Sequence, residues 1–503
     1  MMNILMVQAK TNWYDTTRED GLFVNLNLGF LRTATICKRL NIGFDIVDCN
    51  NFNTGVGDVL NMAESRQPQL AIISLDLNAV DNAYRISHEL KSRHPDIKIM
   101  WTSLGIGFLG PFVVLFKELV LKDDMIDFVL YGDEGRLDVF FEEFSRNSSA
   151  FSAGGIGYKK DGELFFNPLS KSSEYIEEDY NAVDMEDYIW RYGHEIISSK
   201  YVKKQRIIPV ASGVGCAFAC SFCINSNKEW KQLFKTKPQE MLLRQLTGLI
   251  DKYNPDVVWL QDDNFFINKE RAAAVLELLN SRNVKWCGQG RLEYFREDYI
   301  NEEFFKKYMA PGALWFGVGF ETFSDTLRAK LNKKASTEDL EKAALLCNKY
   351  DVPFNPAFIY GTIEQTAEEF KNDVAGLLEF HRRYPKTTFS FQLWRPYPGT
   401  REFAKVTEKY KLEFPSSLQE FRIFSIECLD MDKYYPWLDK KRRSLLSFGA
   451  FLVALYCVYG RFGRNLISDI AYRPLVFCMR YEIFPVFKVI GLLCRILSKK
   501  VKG

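Results

Sequence analysis

Twice along its 503 residues this chain alternates short apolar runs with stretches whose apolar residues recur at helical spacing, and that alternation restricts the fold more than any other feature. In the first array NILMVQ, FDIVD, LAIISLD, IKIMWTSLG and IDFVLYG are of buried-strand length, and helical patterns such as LGFLRTATICKRL and AYRISHELKSRH separate them. Strand and helix in turn imply a parallel sheet covered on both faces, because a parallel crossover needs a helix-length connection. The second array begins at Arg206 and supplies six further runs: RIIPVASG, VVWLQDD, KWCGQGR, LWFGVGFE, VPFNPAFIYG and TFSFQLW. Six β/α units suit a partial barrel better than a closed eight-fold one. The expected fold class is α/β: a Rossmann-like parallel sheet over residues 1–145, a connector over 146–205, a partial (β/α)6 barrel over 206–405, and a mainly helical, basic, aromatic-rich region over 406–503.

Inside the connector, GYKKDGELFF reads as a hairpin turning at Asp161-Gly162, and an acidic stretch, EEDYNAVDMEDY, follows. A composition of 47% hydrophobic and 26% charged residues is that of a folded chain, and a net charge of +2 gives no sign of a nucleic-acid binder. The charge is unevenly spread: Lys440 to Gly503 carries a net +11, which leaves about −9 for the rest. Residues 444–460 are uncharged, at the lower length limit for a membrane span, so a span is not expected. PLVFCMRYEIFPVFKVIGLLCRILSKK spaces bases among aromatic and aliphatic residues as interfacial helices do. Two readings of the tail stay open, helices packed on the barrel or peripheral membrane contact. The opening MMNILMVQAK lacks the layout of a secretory signal, and eleven cysteines without paired spacing argue against a disulfide framework. The expected location is cytoplasmic, with membrane association through the tail as the variant.

In both array types ligands sit beyond the carboxyl ends of the strands. The first array places Ser74, the turn Ser103 to Gly107 and the turn Tyr131 to Gly135 there. In the second, SGVGCAFACSFCINSNKEW follows the first strand, Asp262 and Asp263 end the second, Arg291 the third and Glu321 the fourth. Cys216, Cys220 and Cys223 fall within eight positions, and thiolates crowded in this way bind soft metals. A structural zinc site wants four ligands, yet Cys287 and Cys347 stand alone, and His194 and His381 have no ligand-like neighbours. Three thiolates on a 4Fe–4S cube leave one iron open to a small molecule; structural zinc or incidental thiols are the alternatives. Asp262 and Asp263 suit either an acid/base pair or the N-cap of the next helix.

Cys216-x3-Cys220-x2-Cys223, with Phe222 before the last cysteine, resembles the signature of radical S-adenosylmethionine enzymes. VVWLQDDNFFINKERAAAVLELL, LWFGVGFETFSDTLRAKLNKKAS, FIYGTIEQTAEEF and RPYPGT extend the resemblance in order. The first array, from NLGFLRTATICKRLNIGFDIVD to IDFVLYGDEGRLDVFFEEF, is similar to the cobalamin-binding domain of one branch, so the resemblance covers about residues 1–405. It implies a 4Fe–4S cluster on the three cysteines, with S-adenosylmethionine on the open iron. One electron from a reducing donor then cleaves the sulfonium, and the 5′-deoxyadenosyl radical abstracts hydrogen from carbon. Phe222 would lie near the adenine, Glu321 would contact the ribose or methionine part, and Arg291 would pair with the carboxylate through its fork. An Arg291–Glu321 ion pair is the plainer alternative. Ser74, Gly105 and Gly132 are the cobalamin-contact candidates.

That domain departs from its pattern twice. In DCNNFNTG, Asn50 occupies the position of the cobalt-binding histidine and Asn53 that of the glycine, and no histidine precedes His88. Ser103-Leu104-Gly105 stands where paired glycines are expected, and glycine is what permits close backbone approach.

The function this implies is methylation of an unactivated carbon in a small-molecule or lipid-like substrate, with methylcobalamin as donor and a second S-adenosylmethionine to restore it. A radical cyclase or oxidoreductase without methyl transfer is the alternative, and would yield deoxyadenosine without S-adenosylhomocysteine. A non-catalytic cluster- or cobalamin-binding protein is the third reading. The expected partners are the substrate and a reducing electron donor, with no nucleic acid.

Overall fold

The alternation resolves into two sheets in the computed structural model, which describes residues 2–10, 26–52, 54–75, 79–103, 112–191, 205–296, 299–412, 415–418, 420, 434–453 and 474–483. The first sheet comprises β1 (Asn3–Gln8), β2 (Gly43–Asp48), β3 (Leu70–Ser74), β4 (Lys98–Thr102), β5 (Phe128–Leu130), β6 (Ile156–Lys160) and β7 (Glu163–Phe166). Their order is β2-β1-β3-β4-β5-β6-β7. The first five are parallel, and β6 and β7 add on antiparallel. The chain reverses its direction of build between β1 and β3, which opens a crevice at their carboxyl ends.

The hairpin placed by sequence in the connector thus belongs to the first sheet. Its turn takes positive φ at Asp161 and Gly162, as a two-residue hairpin turn requires. Once turned, β6 covers the edge that β5 would otherwise expose, a partnership no local pattern announces.

The second sheet is the partial barrel. Its strands are β8 (Ile207–Val210), β11 (Val257–Leu260), β12 (Lys285–Arg291), β13 (Ala313–Glu321), β14 (Phe354–Tyr360) and β15 (Ser390–Leu393), each of the six read from sequence. The order is β15-β14-β13-β12-β11-β8, all parallel. Between β8 and β11 the short β9 (Gly213–Val214) and β10 (Lys235–Thr236) pair antiparallel. Helices such as Gln239–Tyr253, Lys269–Ser281, Thr337–Lys349 and Ala367–Arg383 connect the strands. The last two begin with capping boxes at Ser336 and Thr366, each with an acidic residue three positions on that answers the cap's own N–H. Under them Phe266, Trp286, Phe316 and Phe354 are buried, with Phe266 and Phe316 edge-to-face at 5.6 Å.

The two sheets meet through charge. Arg32 donates to Glu134 at 2.6 Å and to Glu178 at 3.0 Å, and Lys237 to Glu178 at 2.6 Å. Lys235 pairs with Asp133 at 2.7 Å. All six side chains are buried, and three cations face three carboxylates, so no charge is left over. Nearer the surface Lys117 reaches Glu229 at 2.9 Å, and the Leu115 side chain lies on the backbone of Gly399.

In the tail, the helix Lys440–Val453 buries Leu445, Leu446, Phe448 and Leu452 against the helix Ala367–Arg383. This is the barrel-packed reading, for the part of the uncharged run that is described; residues 454–473 and 484–503 lie outside the described residues. Among the described residues no helix is long and apolar enough to cross a membrane. The eight described cysteines are free thiols.

Candidate active site

The loop after β8 is held in shape from three sides. At its start Ser212 donates its N–H and hydroxyl to Asp262 at 3.0 and 2.6 Å. Gly215 then takes a positive φ, and the β9–β10 ladder closes the base. In its middle the Ser221 N–H donates to the Leu331 carbonyl at 2.9 Å, and the Asn332 amide donates to the Ala219 carbonyl at 2.6 Å. At its end Asn225 donates to Asp263 at 2.8 Å and accepts from the Trp230 indole at 2.9 Å.

That scaffold brings Cys216, Cys220 and Cys223 within one another's electrostatic reach, with Cys220 buried and the other two half-buried. Burial pushes the Cys216 thiol up and the Cys223 thiol up to about 12, with Asp263 acting in the same direction. Metal loading would therefore release protons. Among the described residues no three Cys, His, Asp or Glu side chains converge on a single ion position. Thiolates bound to separate irons of one cube need no such convergence.

Neither aspartate caps the following helix, which corrects that reading. Asn268 does so, accepting from the Arg271 N–H at 2.8 Å. Asp262 and Asp263 turn back to the cysteine loop, Asp262 onto Ser212 and Asp263 onto Asn225.

Arg291 and Glu321 do not pair with each other. Arg291 places its guanidinium carbon over the Phe218 ring, 3.8 Å from the centroid, donates from one nitrogen to the Cys220 sulfur at 3.5 Å and forms an ion pair with Glu293. Its Nε and the second oxygen of Glu293 are buried without partners. Glu321 sits at a register shift in β13 with φ of 80° and pairs with buried Lys333 at 3.1 Å. A β-carbon at Gly319 would lie 2.4 Å from the Glu321 carboxylate and 2.6 Å from the Lys333 ammonium, so glycine makes room for the pair. Phe222, within the loop, is half-buried against the core. Phe218, Glu293 and Lys333 were not singled out by sequence. Glu293 was within reach of that reading, two positions past a strand-end arginine; Lys333 approaches only through the fold.

At the carboxyl ends of the first sheet, Asp48, Gln8, Ser74 and Thr102 form a buried polar row, paired in register across β2, β1, β3 and β4. Gln8 accepts from Asn27 at 2.7 Å, and Asp48 accepts from the Asn51 N–H and the Tyr188 hydroxyl. The Ser74 hydroxyl is fully buried without a partner. Two clefts of about 430 and 350 Å³ flank Asp48, at the sheet edge and away from the cysteines. Gly105 and Asn53 lie outside the described residues. At Gly132 the place a side chain would fill is taken by the Gly155 backbone, 2.7 Å from such a β-carbon, so the β5–β6 contact requires a glycine there.

These donor sets suit the groups the sequence implied. Three thiols beside buried Arg291 and Lys333 suit an anionic cluster. The unpartnered Arg291 Nε and Glu293 oxygen suit a ligand carrying both an amine and a carboxylate. The Ser74 hydroxyl, at the crevice of the first sheet, suits a polar cofactor.

Residues 210–375 match the Radical SAM superfamily. Over 263 residues the chain is 24% identical to bacteriochlorophyllide d C-8(2)-methyltransferase of Chlorobaculum tepidum, an alignment spanning 48% of this chain and 56% of that protein. The chain therefore spans little more than half the length of this curated relative. Among solved structures, the cobalamin-dependent S-adenosylmethionine radical enzyme OxsB superposes with a TM-score of 0.69 at 13% identity, covering 99% of this chain and 75% of that one. The radical S-adenosylmethionine methyltransferase TsrM of Kitasatospora setae superposes at 0.63 with 14% identity, covering 81% and 75%. At such identities the likeness establishes a shared fold, and with OxsB it runs through both sheets.

Proposed function

We propose, from the match of residues 210–375 to the Radical SAM superfamily, that the chain is a cobalamin-dependent radical S-adenosylmethionine methyltransferase acting on an unactivated carbon of a small molecule. The observation that carries this reading is the contact between the two sheets beside the cysteine loop, where Asp133, in the turn after β5, pairs with Lys235 of β10, and Lys117, in the helix after β4, pairs with Glu229. A cofactor on the first sheet would then face one on the barrel. When bound, the cluster and S-adenosylmethionine supply a carbon radical, and cobalamin supplies a methyl group.

The chain's own residues position and insulate these groups. Cys216, Cys220 and Cys223 hold the cluster; Arg291, Glu293 and Glu321 with Lys333 orient the polar parts of S-adenosylmethionine, and Phe222 lies beside it. Ser74 and its polar row receive cobalamin. The departures at Asn50 and Ser103-Leu104 bear on how the first sheet would hold that cofactor, and Leu104 lies outside the described residues.

The similarity to a bacteriochlorophyllide methyltransferase favours a methyl acceptor over a ring-closing or oxidising reaction. Membrane contact and a lipid-like substrate form no part of the reading. Two of the tail's described bases are used within the chain, Lys441 on Glu482 at 2.6 Å and Arg443 on the Leu438 carbonyl at 2.6 Å.

The test is metal content after anaerobic reconstitution with iron, sulfide and hydroxocobalamin, followed by nucleoside analysis. About four irons and one cobalt per chain, with S-adenosylhomocysteine formed alongside deoxyadenosine, are expected from one cluster and two uses of S-adenosylmethionine. Iron without cobalt would favour radical chemistry without methyl transfer, and a cluster that never cleaves S-adenosylmethionine would leave a non-catalytic protein.

A further inference from the structure

We infer that Arg291, clamped between Phe218 and Glu293, sets the reduction potential of the cluster through its hydrogen bond to the Cys220 sulfur. This rests on the proposed cluster and goes beyond it, since it gives Arg291 work on a ligand sulfur where sequence had assigned it to the carboxylate of S-adenosylmethionine.

The geometry gives Arg291 little freedom. Its guanidinium carbon lies over the Phe218 ring at 3.8 Å from the centroid, one nitrogen is held by Glu293, and another nitrogen donates to Cys220 Sγ at 3.5 Å. The guanidinium cannot shed its proton, so the charge beside the sulfur is permanent. Arg291 is 6% exposed, which leaves little solvent to screen that charge.

Reduction adds one electron from a low-potential donor and neither makes nor breaks a bond. The added negative charge is favoured by a cation and by an N–H donor to a ligating sulfur, two of the levers that set such potentials. Glu293 opposes the effect from the other terminal nitrogen of the guanidinium, and Lys333 with Glu321 forms a second, balanced pair nearby. The sulfur-facing member of the nearer pair is the cation. Removing Arg291 and removing the Glu293 charge must therefore move the potential in opposite directions, a result that loss of packing would not imitate.

The experiment is a mediated redox titration, followed by electron paramagnetic resonance, of the reconstituted full chain without S-adenosylmethionine. Wild type, Arg291→Gln, Arg291→Lys and Glu293→Gln are compared. Arg291→Gln is expected to lower the ratio of reduced to oxidised cluster about tenfold at a fixed potential, a negative shift of about 59 mV for a one-electron couple. Glu293→Gln should shift the midpoint positive, and Arg291→Lys should fall between wild type and Arg291→Gln. An unchanged midpoint in Arg291→Gln, or shifts of one sign in both charge-removing variants, would overturn the inference even if binding of S-adenosylmethionine weakened. Should Arg291→Gln fail to hold a cluster, Glu293→Gln decides alone, and anything but a positive shift counts against the idea. A wild type that assembles no cluster would instead overturn the functional reading, and this inference with it.

Discussion

Cys216, Cys220 and Cys223 differ from the other cysteines in where the chain holds them. Cys287 lies within β12 and Cys347 within the helix Thr337–Lys349, each 1% exposed, and burial drives both thiols far up. Such thiols behave as small hydrophobes. Replacing the three loop cysteines by Ala is expected to take iron content to background, while Cys287→Ala and Cys347→Ala keep it; iron lost from either of the latter would break the ligand assignment. Spacing alone made the three loop residues legible as candidate ligands, because ligands supplied by one turn must be close in sequence. The partners of Arg291 and Glu321 were not legible to that degree. Lys333 reaches Glu321 from twelve positions on, across a bulge and an intervening helix that no periodicity records.

Between elements, Asp373 ties the helix Ala367–Arg383 to the turn that follows Glu321. It accepts from the Thr322 hydroxyl at 2.9 Å, the Phe323 N–H at 2.6 Å and the Gln365 amide at 2.9 Å. Burial nonetheless pushes its carboxyl up to about 7, which these donors only partly oppose. The native state then binds a proton that the unfolded chain has released by about pH 4. Stability should fall as pH rises from about 4 to about 7, by a few kcal/mol, and level off above. Asp373→Asn should flatten that slope in urea midpoints measured across the range; an unchanged slope would mean that Asp373 is ionised in the fold. The β/α alternation foretold the strand and the helix, and β13 ends at Glu321 as its apolar run suggests. A buried carboxylate linking the two is a contact across 50 residues, visible only after folding.

At the scale of the molecule, Glu178 is the hub of the charges between the sheets. Burial alone would raise its carboxyl; Lys237 and Arg32 hold it down to about 2. A depressed value of this kind stabilises the fold above about pH 4.3 and is lost as pH falls toward 2. Glu178→Gln strands Lys237 and Arg32 without their shared carboxylate, and breaking such a buried pair costs about 3–5 kcal/mol. Urea unfolding at pH 7 should show that loss, and the variant's acid unfolding should lack the component that titrates between about pH 4 and 2. A midpoint equal to wild type would show that the network contributes nothing net to docking the sheets.

The sequence by itself determined the two parallel sheets, the six barrel strands and the three-cysteine loop, since hydrophobic period and ligand spacing are local properties of the chain. Tertiary structure decided the rest: that the connector's hairpin completes the first sheet, that Gly132 packs against Gly155, and that the tail helix Lys440–Val453 lies on the barrel. It also set which carboxylate each buried cation meets. Those outcomes depend on which distant surfaces exclude water together and on which buried charges must find partners there, and neither is written in the spacing of neighbouring residues.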